Sequence, residues 1–375
     1  MVAQTKVMKR KINSLYVHIP FCHSLCPYCD FTKLLLNRKF EDLYIEQLIK
    51  DLSFVKDEFF KFKTIYIGGG TPSCLRTDNL EKLLCILNNM RDDSAEFTIE
   101  ANPEDINDQF LTTLIKYGVN RISIGIQTFD DKILDSIGRN YHLDFNKLIS
   151  KTKLYISNIN LDFIYGLPNY TKSILRNDLN TFFKLDVNHA SFYSLIVSPG
   201  TIFYNKGIKE DDQDKSREYY DLILKKMRDN GFERYEVSNY SKPGYECKHN
   251  INYWRNGKYV AVGLGGSGYV GNERYTNTKN FSEYIKGINN KEIEKITNKS
   301  LEEYYLLTNL RLKVGFSLIE YKDLFKKDFL IVFDSHIKKL LEDRLVNIKD
   351  NRFYCTDEGL IVLDYVLEEL FQNIN

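Results

Sequence analysis

Three thiols, Cys22, Cys26 and Cys29, are the residues of this 375-residue chain whose type and spacing point most directly to chemistry. They stand in Leu15-Tyr-Val-His-Ile-Pro-Phe-Cys-His-Ser-Leu-Cys-Pro-Tyr-Cys-Asp-Phe31 at Cys-x3-Cys-x2-Cys spacing. Three thiolates on one short loop can hold three corners of a cuboidal [4Fe–4S] cluster, and with no fourth cysteine nearby one iron stays open to another ligand. Tetrahedral zinc is the rival reading. It needs a further donor such as His18 or His23, and structural zinc ligands usually come as paired Cys-x2-Cys knuckles separated by a longer loop. A run of ordinary buried thiols is the remaining alternative.

A reactive loop needs a scaffold, and the hydrophobic pattern supplies one. Short apolar or β-branched runs at 15–19, 64–67, 97–100, 121–126, 161–164 and 190–196 alternate with helical periodicity at 38–60, 79–90, 108–117 and 173–185. Such alternation predicts an α/β fold with a parallel sheet, right-handed crossovers and closure into a barrel or part of one. Ligands of parallel sheets lie at the carboxyl ends of the strands, so the loops after each run should carry the site. The second run opens into Gly68-Gly-Gly-Thr-Pro72, where glycine lets backbone approach a ligand and Pro72 keeps Thr71 extended. The third ends on Glu100 and the fourth on Gln127. Each of these offers a ligand contact, with a helix N-cap as the bland rival. The fifth contains Asp162 ahead of Gly166-Leu-Pro168, and the sixth reaches Ser194.

Cys-x3-Cys-x2-Cys with Tyr28 before the last cysteine resembles the signature of the radical S-adenosylmethionine (SAM) superfamily. Tyr16-Val-His-Ile-Pro-Phe-Cys22 and Cys26-Pro-Tyr-Cys-Asp-Phe31 are similar to its oxygen-independent coproporphyrinogen III oxidase branch, which also contains haem chaperones. The resemblance implies a partial (β/α)6 TIM-like barrel with a β extension over residues 1–295. A smaller helical, winged-helix-like domain would follow over 296–375. It implies a [4Fe–4S] cluster on Cys22, Cys26 and Cys29, with SAM chelating the fourth iron. One electron, from a donor such as flavodoxin or ferredoxin, would then cleave the sulfonium to a 5′-deoxyadenosyl radical. It places Tyr16, Gly69, Gly70, Thr71, Glu100 and Gln127 against SAM and Arg139 near its carboxylate. Asp162 would hold the ribose hydroxyls and Ser194 would lie beside the adenosyl group. Gly263-Leu-Gly-Gly-Ser-Gly268 fits a dinucleotide fingerprint only formally, because Tyr269-Val-Gly-Asn follows as strand or loop rather than helix. By resemblance this turn, with Tyr269, is a lid over the adenosine side.

Cys247-Lys-His-Asn-Ile-Asn-Tyr-Trp254 resembles the His-Asn-x-x-Tyr-Trp motif that marks the chaperone subgroup and is associated with haem. Imidazole can ligate haem iron while Tyr253 and Trp254 offer flat surfaces to the macrocycle, so His249 is the expected haem contact. A hydrogen-bonded loop histidine beside a buried Trp is the plain alternative. The resemblance implies a haem chaperone serving a haem-accepting protein, and the alternative is a coproporphyrinogen III oxidase that decarboxylates its substrate to protoporphyrinogen. Phe31 stands where the oxidase usually has a fourth cysteine, and only 14 residues precede Leu15. Both departures favour the chaperone.

With 52 basic and 51 acidic residues the formal charge is +1, too small to recruit nucleic acid or an anionic membrane. From residue 300 onward ten Lys/Arg face fourteen Asp/Glu, the wrong sign for a DNA-binding winged helix. Seven cysteines, three of them in the cluster motif and the rest scattered, point to a reducing compartment, hence the cytoplasm. The basic Lys6, Lys9, Arg10 and Lys11 precede no apolar core of a signal peptide, and no run suits a membrane span. Only peripheral membrane contact stays open.

Overall fold

The computed structural model describes residues 12–59, 61–139 and 141–374. Lys6, Lys9, Arg10, Lys11 and the expected helix end at Phe60 lie outside the described residues. Leu15, Val17 and Ile19 alternate with Ser14, Tyr16 and His18 along β1 (Ser14–Ile19), and a strand of period two must send these sets to opposite faces. β1 pairs in parallel with β2 (Phe62–Gly69), which pairs with β3 (Arg91–Ala101), and the ladder continues through β4 (Arg121–Gln127), β5 (Asn158–Tyr165) and β6 (His189–Ser194). All six expected strands are there. The sixth stops at Ser194, so Leu195 and Ile196 leave the sheet.

The sheet is wider than the pattern predicts. β7 (Glu233–Arg234) and β8 (Asn239–Ser241) add antiparallel at the β6 edge, and β9 (Val260–Val262) adds parallel to β1, giving the order β9-β1-β2-β3-β4-β5-β6-β8-β7. Helices α1 (Arg38–Glu58), α2 (Thr77–Asn88), α3 (Asp108–Lys116), α4 (Phe145–Lys153) and α5 (Lys172–Lys184) cover its outer face. Side chains of Asn37, Asn107, Asp144 and Thr171 accept first-turn N–H groups and fix where α1, α3, α4 and α5 begin. Ile65, Ile67, Ile99, Ile122, Ile124 and Leu161 pack against Leu48, Leu83, Leu111 and Leu175, all fully buried. Each such side chain contributes about 1.5–3 kcal/mol. The other face of the strands is polar. It carries Tyr66, Glu100, Ser123, Asp162 and His189, so the concave side of the sheet is built for a ligand rather than for a core.

Past α6 (Gln213–Asp229) and the seven-residue α7 (Lys248–Trp254), a second sheet forms from β10 (Ser267–Val270), β11 (Glu273–Thr276) and β12 (Glu292–Lys295). The Gly-rich run therefore enters a strand, one of the two outcomes, strand or loop, that its sequence allows. A separate apolar cluster then gathers Phe316, Tyr321, Phe329, Phe353, Val366 and Leu370. It lies between helices, beginning with α8 (Asn298–Asn309), and a small sheet of β13 (Phe316–Ser317), β14 (Val346–Lys349) and β15 (Arg352–Cys355). Among the described residues no helix is long and apolar enough to cross a membrane.

Candidate SAM and cluster site

At the carboxyl ends of β1 to β6 a cavity of about 740 Å³ opens between the sheet and the cysteine loop. Cys22, Cys26 and Cys29 face it together with Gly69, Gly70, Thr71, Glu100, Gln127, Arg139, Asp162 and Ser194. Eleven of the sixteen residues singled out in the sequence thus share one wall. The loop bearing the thiols is fastened from several directions. Phe21–Cys22 pairs with Leu34–Leu35 at its base, the Phe203 N–H donates to the Pro27 carbonyl at 2.9 Å, and Ser198 Oγ donates to Asp30 at 2.9 Å.

The Gly68–Gly70 turn admits nothing larger than glycine. Gly69 has φ +117°, and a Cβ there would lie 2.5 Å from the His18 ring, while one on Gly70 would lie 2.7 Å from the Phe21 carbonyl oxygen. Glu100 accepts from the Tyr66 hydroxyl at 2.9 Å and from the Gly69 N–H at 3.0 Å. Burial, and then the charge of Asp162, push its carboxyl up to about 7 against the pull of those two hydrogen bonds. Asp162 accepts from Ser123 Oγ at 2.7 Å and from Asn160 Nδ2 at 2.8 Å, which fixes its carboxylate at the strand end. Arg139 donates through Nη1 to Asn102 at 2.9 Å and to the Gly125 carbonyl at 3.2 Å. Its Nε and the nearby Tyr141 hydroxyl are buried without a partner. Gln127 sits at φ +68°, a conformation that costs a non-glycine residue about 1–3 kcal/mol and brings this side chain into the wall.

The residues fit the two groups that the cysteine pattern suggests. Among the described residues no three His, Cys, Asp or Glu side chains converge as ligands of a single ion. A cubane takes one thiolate per iron, so its sulfurs stand further apart. A bound cluster with an open iron supplies one-electron chemistry to a sulfonium held beside it. The chain itself offers two carboxylates for cationic and hydroxyl groups, a guanidinium with a free Nε–H beside a free phenol for a carboxylate, and a glycine turn for close approach. Together they suit a zwitterionic nucleoside.

Five expected site residues lie elsewhere. The Tyr16 ring stacks on Tyr66 at 6.3 Å and its hydroxyl meets His18 Nδ1 at 3.1 Å, outside the cavity wall. Tyr269 is buried on β10 between the Lys258 ammonium and the Arg274 guanidinium, 3.2 and 4.3 Å from its ring centre, so it is no lid. The glycine turn before it packs on the back of the cysteine loop, where a Cβ on Gly265 would strike Thr32. His249 is the sharpest correction. It is 1% exposed, Nδ1 bonds Thr64 Oγ1 at 2.8 Å, Nε2 bonds the Tyr253 hydroxyl at 2.7 Å, and burial beside Arg121 pushes its pKa down to about 3. Both ring nitrogens are engaged within the fold, away from the cavity wall, and Tyr253 is tied to the same ring. Trp254 lies half-buried beside Arg311, 5.2 Å from the ring centre, outside the cavity. Periodicity marks α7 as amphipathic at most and carries no sign that it inserts beneath the sheet.

Other cavity residues escaped the sequence reading: Tyr66, Asn102, Ser123 and Tyr141. His23 entered it only as a zinc donor, and Asp105, which bonds His23 from outside the wall, did not enter it. The period-two polar face of β2 and β4 was the available signal for Tyr66 and Ser123. Nothing local marks Asp105.

Comparison with known proteins follows the geometry. Residues 16–182 match the model of the Radical SAM superfamily and residues 296–362 that of the HemN C-terminal domain. The chain is 38% identical to the heme chaperone HemW of Lactococcus lactis over 98% of its own length and 100% of that protein. This chain belongs to the HemW family. The HemW of Bacillus subtilis is 35% identical over 94% of this chain and 97% of its own, and that of Escherichia coli 36% over 68% and 70%. Family membership implies a [4Fe–4S] cluster and SAM. Coproporphyrinogen III oxidase (HemN) from E. coli superposes with a TM-score of 0.82 over 97% of this chain and 91% of its own at 18% identity, which establishes a shared fold.

Proposed function

We propose that this chain is a haem chaperone of the HemW type. It carries a [4Fe–4S] cluster on Cys22, Cys26 and Cys29, binds SAM along the strand ends, holds haem and passes it to an acceptor protein. The observation that carries this reading is the 38% identity to a protein named heme chaperone over 98% of the chain. The arrangement at the strand ends supports the cofactor half of it. Glu100, Gln127, Arg139, Asp162 and Ser194 enclose SAM, with Gly69, Gly70 and Thr71 at its amino group and Tyr16 supporting the wall through Tyr66. Residues 1–295 form the cofactor domain and 296–375 its cap. An electron donor of the flavodoxin or ferredoxin kind reduces the cluster, in the cytoplasm, with membrane contact limited to the periphery.

The test is a haem titration of anaerobically reconstituted protein, followed in the Soret band. The reading expects saturation at about one haem per chain in protein that also holds its cluster. Haem taken up only non-saturably, or only after the cluster is lost, would rule it out.

A further inference from the structure

The chain has six histidines, and among them His23 is the one that lines the cavity. His18, His189 and His249 are buried with both ring nitrogens bonded, to Tyr16 and Thr32, to Asn160 and Tyr235, and to Thr64 and Tyr253. His142 lies against Asp131 and His336 against Glu369, both away from the cavity wall. His23 differs on every count. It lines the cavity, its side chain is 40% exposed, and its Nε2 is 2.8 Å from Asp105 Oδ1. The other oxygen of Asp105 accepts from Ser73 Oγ at 2.6 Å, so the carboxylate is fixed before it fixes the ring. Among the described residues, Nδ1 of His23 has no partner.

A carboxylate on one imidazole nitrogen is the usual support for a metal on the other. It sets the tautomer, holds the ring plane and raises the basicity of the free nitrogen. Two large apolar side chains of the same cavity, Phe31 and Ile196, line it while 65% and 68% exposed. A flat macrocycle would cover such surface. Lys33 stands at the same rim, its ammonium donating only to the Cys29 and Phe31 carbonyls, with no carboxylate partner among the described residues. It supplies the positive charge that a propionate needs.

We propose that His23 Nδ1 is an axial ligand of haem iron, with the macrocycle seated across the cavity mouth over Phe31 and Ile196 and a propionate directed to Lys33. The assignment rests on the haem-chaperone reading and names the site at which it operates.

The experiment is a haem titration of cluster-loaded wild-type protein, His23→Gly, Asp105→Asn and, as control, His142→Ala, with iron–sulfur content measured in each. His23→Gly should lose the imidazole-ligated Soret and electron paramagnetic signature. Its affinity should fall at least about ten-fold, and free imidazole should restore the signature. Asp105→Asn should keep the ligand but weaken affinity by about ten-fold to a hundred-fold, as loss of such support usually does. His142→Ala should match wild type. A His23→Gly protein with wild-type spectrum and affinity overturns the assignment while leaving the chaperone reading intact. Wild-type protein that takes up no haem overturns both.

Discussion

Glu100 and Asp162 face one cavity from neighbouring parts of the sheet, and the burial of Glu100, with the charge of Asp162 as the second cause, sets the chemistry of the site. Glu100 ionises near 7 in the fold against 4.5 when free. An acid with a raised folded pKa binds its proton more tightly folded than unfolded, so the empty fold loses stability as pH climbs from about 4.5 to about 7 and changes no further above that. A cationic ligand reverses the balance by favouring the carboxylate. SAM affinity should therefore rise with pH, approaching ten-fold per unit below about 7, and level off above. Glu100→Gln should remove the slope and cost about ten-fold to a hundred-fold in affinity at pH 8, the loss of one charged hydrogen bond. Calorimetry on cluster-loaded protein reads both quantities, and parallel slopes in wild type and variant would refute the assignment. At the same scale, Cys22→Ala, Cys26→Ala or Cys29→Ala should each abolish loading of about four iron per chain. Cys74→Ala and Cys355→Ala, which alter thiols buried outside the cavity wall, should load normally.

Among the elements, α7 is the one whose role the sequence hid. Its first turn is capped by a buried carboxylate from another strand. Glu96 accepts from the Lys248 and His249 N–H groups at 3.0 Å each, and the Cys247 thiol lies at 3.5 Å. His249 then bridges Thr64 on β2 to Tyr253 on its own helix and stacks near Tyr66, whose hydroxyl holds Glu100. The motif thus braces the floor beneath the SAM cavity. His249→Ala should lower stability by about 1–3 kcal/mol, because it strands the Tyr253 hydroxyl and leaves Thr64 only its bond to Ser14, without altering the ligand signature of bound haem. Urea unfolding and the Soret band report these separately. The strands were legible as short apolar or β-branched runs alternating with helical periodicity, and the strand-end residues because a parallel sheet presents its carboxyl ends to ligands. The destination of α7 was not, since a His-Asn-x-x-Tyr-Trp run reads the same whether its imidazole faces solvent or a buried threonine. Asp105 was invisible for a similar reason. Its partners Ser73 and His23 come from loops that only the folded sheet brings together.

On the scale of the whole molecule, two apolar cores are joined through a polar seam centred on Asp357. Arg234, its side chain 1% exposed, donates to Asp357 at 2.5 Å, Arg228 joins at 2.8 Å, and Lys313 pairs with the same carboxylate. Removing the acid leaves Arg234 charged and buried, so Asp357→Ala should cost about 3–5 kcal/mol in thermal or urea unfolding. The neighbouring Arg217–Glu358 pair is bidentate but exposed, and Arg217→Ala should cost under about 1 kcal/mol. Equal effects would mean that the seam is held by packing rather than by the buried charge.

The fold is shared with an oxidase, so shape alone does not separate a haem carrier from an enzyme that acts on a porphyrinogen. Composition of the cavity does not separate them either, because both need the cluster and SAM. The decisive measurement is one anaerobic incubation of the reconstituted protein with SAM, a reductant and coproporphyrinogen III, with porphyrins resolved by chromatography. The account predicts unchanged coproporphyrinogen from a preparation that binds haem at about one per chain. Accumulation of protoporphyrinogen with matching consumption of SAM would contradict it and make the chain an oxidase.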